Sequence, residues 1–178
     1  MKKAIAGIMG ALILLWSFTG CSGTKIDPYH MDVETISQMP WGISREKFKS
    51  LLETEDYSEV QALKEPLNEW HITVDNTTAW GREYYETDFG FVEDGSGLVR
   101  VQCSEKEATE EEFLDTLESV KEVMGDEYED YSPEDGEYTH YIWPVKNNIL
   151  VSVTYSPDPI SNELNLHLGF YNPKVLDN

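Results

Sequence analysis

The apolar positions of this chain run through four stretches, first at helical spacing, then alternating, then helical and alternating again. Phe48, Leu51 and Leu52 fall on one helical face behind Ser44, whose hydroxyl suits an N-cap. The spacing therefore predicts a helix over Arg45 to Glu53. Ile43 and Phe48 are placed to form a hydrophobic staple across its start. Val60 and Leu63 suggest a second, short helix that Pro66 ends.

After Pro66 the period becomes two. Trp70, Ile72 and Val74 share one side and His71 and Thr73 the other, the mark of a half-buried strand. Tyr85, Thr87, Phe89 and Phe91 alternate with Tyr84, Glu86, Asp88 and Gly90 to give the next strand. Residues Glu93 to Gly97 read as a hairpin loop because their glycines permit positive φ. Val99, Val101 and Cys103 form the inward set of a third strand, with Arg100 and Gln102 outward.

The helical period then returns. Thr109 precedes three glutamates, a capping box with acidic groups at the positive end of the helix dipole. Phe113, Leu114, Leu117, Val120, Val123 and Met124 make a continuous stripe, and Gly125 stands where the helix should stop. Three alternating runs close the chain, about Tyr138 to Trp143, Asn148 to Tyr155 and Glu163 to Tyr171.

Helix, three strands, helix, three strands is a repeated order. Offsetting the chain by 65 residues carries Ser44 onto Thr109, Glu46 onto Glu111, Phe48 onto Phe113 and Leu52 onto Leu117. The same offset carries Val99, Val101 and Cys103 onto Leu164, Leu166 and Leu168, whereas the middle strands need a gap. The fold class expected is α+β, with two helix-plus-antiparallel-three-strand repeats in one domain and the helices on one face of the sheet. One irregular α+β domain is the alternative. The domain spans 41–172, with repeats of about 41–105 and 106–172 and a tail at 173–178.

Residues 22–40 are polar and without sustained periodicity, so 21–40 read as a tether, within which Val33 to Met39 could pair as an edge strand. As a flexible coil the tether has a root-mean-square span of about 20 to 25 Å. Ahead of it lie Lys2 and Lys3, an apolar run from Ala4 to Trp16, and Phe18-Thr19-Gly20-Cys21. A basic start, a short apolar run and small residues before a cut mark a signal peptide over 1–20, too short to span a bilayer. Its end resembles the lipobox of bacterial lipoproteins, with Phe18 where that family usually has Leu. The resemblance implies that Cys21 carries a diacylglyceryl group and becomes the new N-terminus.

Charge narrows the choice of partner. The chain has 13 basic and 34 acidic residues, and loss of residues 1–20 takes the net charge from −21 to −23. That excludes nucleic acid, whose binding depends on a basic patch, and leaves the lipid rather than electrostatics to hold the protein at the membrane. With Cys21 acylated, Cys103 is the single free thiol and no intramolecular disulfide forms.

Trp41-Gly42-Ile43-Ser44-Arg45-Glu46, followed by the repeat pattern behind a lipobox, resembles the β-lactamase-inhibitor-like and small outer-membrane-assembly lipoprotein group over residues 41–172. The resemblance rests on pattern and order. It implies a tandem repeat, protein binding and no catalysis, and it assigns no recognition residue here.

Candidate chemistry is sparse. Cys103 with His71, His140 or His167 could suggest a thiol nucleophile, but an inward strand position makes it a core residue. The histidines lack close ligand spacing, so neither a metal nor a cofactor is expected. Asp126 to Glu137 is the densest acidic stretch, interleaved with Tyr128 and Tyr131. Asp126, Asp130 and Glu134 are its weak cation candidates, although the spacing does not meet a calcium loop. Tyr84, Tyr141, Trp143 and Tyr171 alternate towards one side of their strands and form the candidate binding face. The reading that results is a lipid-anchored, non-catalytic cell-envelope module that binds a protein partner. A cell-wall glycan bound by sheet aromatics is the second reading, and a hydrolase the third.

Overall fold

The structure is a computed structural model that describes residues 25–64, 67–92, 97–146, 149–158 and 161–176. Alternation decides the architecture. Among the described residues there are eight strands, β1 Ser58–Lys64, β2 Leu67–Ala79, β3 Arg82–Phe91, β4 Leu98–Glu105, β5 Glu129–Asp130, β6 Thr139–Lys146, β7 Ile149–Pro157 and β8 Leu164–Tyr171. They join into one antiparallel sheet in the order β1-β2-β3-β4-β8-β7-β6-β5. The helices are α1 Val33–Ser37, α2 Arg45–Lys49, α3 Glu110–Met124 and α4 Pro173–Leu176.

This corrects the expected α+β class. The fold is β-rich, a continuous eight-stranded sheet with three helices of four or five residues and one of 15. Each side of the β4–β8 seam holds four strands rather than three. The two helices expected to correspond, α2 and α3, differ threefold in length. The reason lies at α2, where Leu51 and Leu52 leave the helix and Leu52 bridges to Ile26. Tertiary pairing there overrides helical spacing. Val60 and Leu63 belong to β1, not to a helix, because the whole segment pairs in register with β2. A two-residue helical signal does not outweigh a run of ladder hydrogen bonds.

The segment read as a tether is part of the domain from Lys25 onward. Ile26 exchanges backbone hydrogen bonds with Leu51 and Glu53, both at 2.9 Å, and Met31 with Thr78 and Trp80 at 2.8 and 2.9 Å. Ile26, Met31, Ile36 and Met39 are buried in the core. Val33 to Ser37 forms α1 rather than an edge strand, because Asp32 caps it by accepting from the Thr35 amide at 2.7 Å. The signal segment, Cys21 and most of the Glu93–Gly97 loop lie outside the described residues.

The third helical reading is realised closely. Thr109 caps α3 in a full capping box with Glu112, and Gly125 ends it at φ 96°. Phe113, Thr116, Leu117 and Val120 are buried, whereas Leu114, counted in the stripe, is 49% exposed. Phe48 of α2 meets Phe89 and Phe91 at centroid distances of 4.8 and 5.4 Å, and Phe113 of α3 stacks on Tyr155 at 5.1 Å. Burying a side chain such as Phe48 contributes about 1.5–3 kcal/mol. Ile72, Val74, Phe89, Val101, Cys103, Leu168 and Val153 complete the core beneath these contacts.

Candidate functional site

The opposite side of the sheet is polar, because the residues between the core positions on each strand are mostly charged or hydroxylic. Register aligns Thr73, Asp88, Gln102, Gly169 and Ser152 in one row across β2, β3, β4, β8 and β7. His71, Gly90, Arg100 and Tyr171 form the next row.

Four part-buried polar side chains, Glu69, His71, Asp88 and Arg100, converge where these rows meet. His71 Nδ1 lies 2.7 Å from Asp88 Oδ2, and Arg100 donates to the same oxygen at 2.9 Å. Thr73 donates its hydroxyl to the other Asp88 oxygen at 3.3 Å. Glu69 stands 3.3 Å from Arg100 and 3.7 Å from His71 Nε2. The shorter contact assigns the Nδ1 proton to the bond with Asp88, so the 3.4 Å approach of Arg100 to that nitrogen is not a hydrogen bond. Gly90 makes the arrangement feasible, since a Cβ there would sit 3.2 Å from Arg100 Nε and 3.3 Å from Glu69 Oε2. The guanidinium is held beside Gly90 of β3 by two carboxylates.

A second group adjoins it. Ser104 Oγ is 2.9 Å and Gln102 Nε2 3.3 Å from His167 Nδ1. Burial, with Arg100 adding to it, pushes the His167 imidazole below its ordinary range, so it stays neutral and accepts through Nδ1. A hydroxyl against a neutral imidazole has the form of an activated nucleophile, but Ser104 is only 4% exposed. Its Oγ is sealed from any acyl substrate. Cys103 is likewise enclosed, accepts a hydrogen bond from Thr87 at 3.3 Å, and has its thiol pushed by burial up to about 12. It is a core residue and carries almost no thiolate at neutral pH.

No protein-family model, curated protein or solved structure matches this chain. Its function is therefore argued from its own residues.

The four aromatic residues expected on one binding face do not share one. Trp143 is wholly buried and donates through Nε1 to the Gly125 carbonyl at 2.8 Å. Tyr84 is also enclosed, and burial raises its phenol well above the ordinary range. Tyr141 is half-buried between Phe113 and Tyr128, at 6.3 and 4.8 Å. Tyr171 alone lies on the polar side, its ring across Gly169. Alternation placed them together wrongly because a large aromatic side chain is drawn to whichever side buries it.

The aromatics that do reach solvent lie elsewhere. Tyr128, Tyr131 and Tyr138, in or beside the acidic stretch Asp126 to Glu137, are 37, 53 and 38% exposed, and Tyr85 of β3 is 44% exposed. Tyr131 donates to Glu129 and sits 6.2 Å from the His140 ring. Among the described residues no group of three or more His, Cys, Asp or Glu side chains is arranged to hold a metal, and Asp126, Asp130 and Glu134 make no such group. Asp130 instead accepts from the Ser132 amide at 2.8 Å. The charged cluster escaped sequence reading because Glu69, His71, Asp88 and Arg100 come from three strands. The positions of His71, Asp88 and Arg100 in alternating runs were visible, but Glu69 and the meeting of the four were not.

Proposed function

We propose that this chain is a lipid-anchored, non-catalytic binding module of the cell envelope, exported by its signal segment and held at the membrane through Cys21, and that its ligand is a protein. One observation carries the binding reading. The polar side of the sheet presents the Glu69–His71–Asp88–Arg100 cluster with its polar groups already partnered and its side chains already positioned. A surface whose rotamers are set before contact loses little entropy on docking, which favours recognition of a folded partner. The enclosure of Ser104 and Cys103 argues in the same direction, since neither offers a nucleophile to a substrate.

The test is affinity capture from detergent-solubilised envelope with mature chain as bait. Asp75→Lys and Thr154→Lys change the polar side at its two flanks, and Glu118→Lys changes the exposed side of α3. A single protein retained by the native chain and by Glu118→Lys, and lost with the other two, supports the reading. Equal retention by all three variants removes the polar side as the binding surface.

The glycan reading keeps one specific support, the solvent-exposed Tyr128, Tyr131 and Tyr138. Aromatic faces of this kind stack on sugars. Quenching of tyrosine and tryptophan fluorescence by wall oligosaccharides, abolished by Tyr131→Ala, would transfer the proposal to that class of ligand.

A further inference from the structure

The polar side of the sheet is acidic. Among its described strand positions Glu69, Asp75, Glu86, Asp88 and Glu129 stand against Arg100. Arg100 is already taken by Glu69 and Asp88, at 3.3 and 2.9 Å. Asp75 and Glu86 lie directly opposite one another on β2 and β3 and make no ion pair among the described residues. Lys106, beyond the end of β4, sits instead over the Tyr85 ring at 3.7 Å. Burial pushes the Glu86 carboxyl above its ordinary range; Lys106 offsets part of this, and Asp88 and Asp75 add to it. Negative charge is held at this end without a paired counter-ion.

The row that begins with Asp75 and Glu86 continues through Ser104, His167 and Thr154 to His140. Just past β5, Tyr131 donates its amide to the His140 carbonyl at 2.8 Å. The middle of the row is uncharged, since burial lowers both imidazoles below their ordinary range, with Arg100 adding to the effect at His167. The far end is acidic again. Tyr131 and Tyr138 are exposed there, Tyr131 donates its hydroxyl to Glu129, and Asp126 to Glu137 holds seven carboxylates and no lysine or arginine. Exposed ring faces flanked by carboxylates attract cations.

We infer that the partner of this side is a basic protein segment that carries lysine or arginine at two places, one seated on Asp75 and Glu86 and the other beside Glu129 and Tyr131, with an uncharged stretch between them. The inference rests on the polar side being the binding surface and names what binds it. Charge chooses the occupant, because an acidic or neutral segment would cover Asp75 and Glu86 and leave them without a counter-ion. Distance sets its length. β3 and β5 are five strand spacings apart, about 24 Å, which an extended chain covers in about seven residues. That separation exceeds the screening length of about 8 Å at physiological ionic strength, so each end takes its own cation.

The test measures fluorescence anisotropy with mature chain in detergent and two rhodamine-labelled probe peptides of eight residues. Both are serine and glycine with blocked ends, one with arginine at its first and last positions and one with arginine at its first two. The spaced probe is expected to bind about fivefold more tightly, because it alone reaches both ends of the row. Asp75→Asn with Glu86→Gln, and separately Glu129→Gln with Tyr131→Ala, should each bring the two probes to the same affinity, whereas Glu118→Gln on α3 should leave the difference in place. Asp75→Asn with Glu86→Gln should also unfold in urea at no lower a midpoint than native chain, since it removes carboxylates that lack a partner. Equal affinities of native chain for the two probes, or binding of neither, overturns the inference. A lowered urea midpoint overturns it too, by showing that these carboxylates are already satisfied within the chain. Capture from envelope separates that failure from failure of the binding surface itself. A protein still lost with Asp75→Lys and Thr154→Lys leaves the polar side in place with a partner that is not basic, and equal retention removes both.

Discussion

Cys103 of β4 lies directly opposite Leu168 of β8, at the seam where the two halves of the sheet meet. These are the residues that the 65-residue offset superposes, so the seam pairs a position with its own counterpart. Outward from them the register slips by one, because Thr87 lies beside Cys103 and Val153 beside Leu168. The next strands out add one residue more, because Val74 lies beside Thr87 and Tyr141 beside Val153, so the gap the middle strands require is one residue and then two.

Burial at this seam makes the thiol unreactive. With its pKa up at about 12, Cys103 carries about one part in ten thousand thiolate at pH 8. An aromatic disulfide reagent should release no chromophore from a truncated chain beginning at Ser22, which lacks Cys21, until denaturant is added, and then one equivalent. Rapid release from native protein would show that the seam opens.

Trp143 is a structural residue in the core. Trp143→Ala should cost about 3–5 kcal/mol from the cavity it leaves. Trp143→Phe should cost less, about 1–2 kcal/mol, mainly because the Gly125 carbonyl loses its donor. Urea unfolding measures both, and equal midpoints for the two variants would place the indole outside the core.

The capping box of α3 can be removed with one hydroxyl. Thr109→Ala should lower stability by about 1 kcal/mol. The two Thr109 bonds hold the Glu112 carboxyl below its ordinary range, so its contribution is present above pH 4.5 and is lost as pH falls through the lowered value. The stability difference between native chain and Thr109→Ala should therefore shrink in acid. A constant difference from pH 7 to pH 3 would contradict the assignment.

His167 sets a second pH dependence. Its folded pKa lies below 6.5, so the unfolded chain takes up the proton first as pH falls. Stability from this group is complete above about pH 6.5 and declines below it. Burial lowers His140 in the same direction. His167→Gln should flatten the dependence of unfolding free energy on pH between 6.5 and 5, and an unchanged slope would remove His167 as a contributor.

Gly169 has no room for a side chain. A Cβ there would lie 2.7 Å from Ser152 Oγ and 2.9 Å from the Tyr171 ring. Gly169→Ala should cost about 1–3 kcal/mol by overpacking, whereas Gly81→Ala meets nothing within 4 Å and is limited by its positive φ of 79°.

Much of the strand pattern was legible from residues alone. Ile72, Val74, Phe89, Val101, Cys103, Leu166, Leu168 and Phe170 alternate and are all buried. α3 was legible from its cap to its terminating glycine, because both signals are local. The misreadings share a cause. Val60, Leu52 and the 25–40 segment take their structure from partners distant in the chain, namely His71, Ile26 and Thr78. Of the candidate site, the outward positions of His71 and Arg100 were readable, but the convergence of four side chains was not.

What the chain by itself determined is which residues seek burial and where local geometry starts or stops an element, since hydrophobic period, caps and positive-φ glycines act over a few neighbours. Only the tertiary structure decided that these elements join as one eight-stranded sheet, that Trp143 and Tyr84 turn into the core, and that the supposed tether is held down. Those outcomes depend on long-range pairing, in which a hydrogen-bond ladder and a shared core outweigh the weaker preferences of short segments.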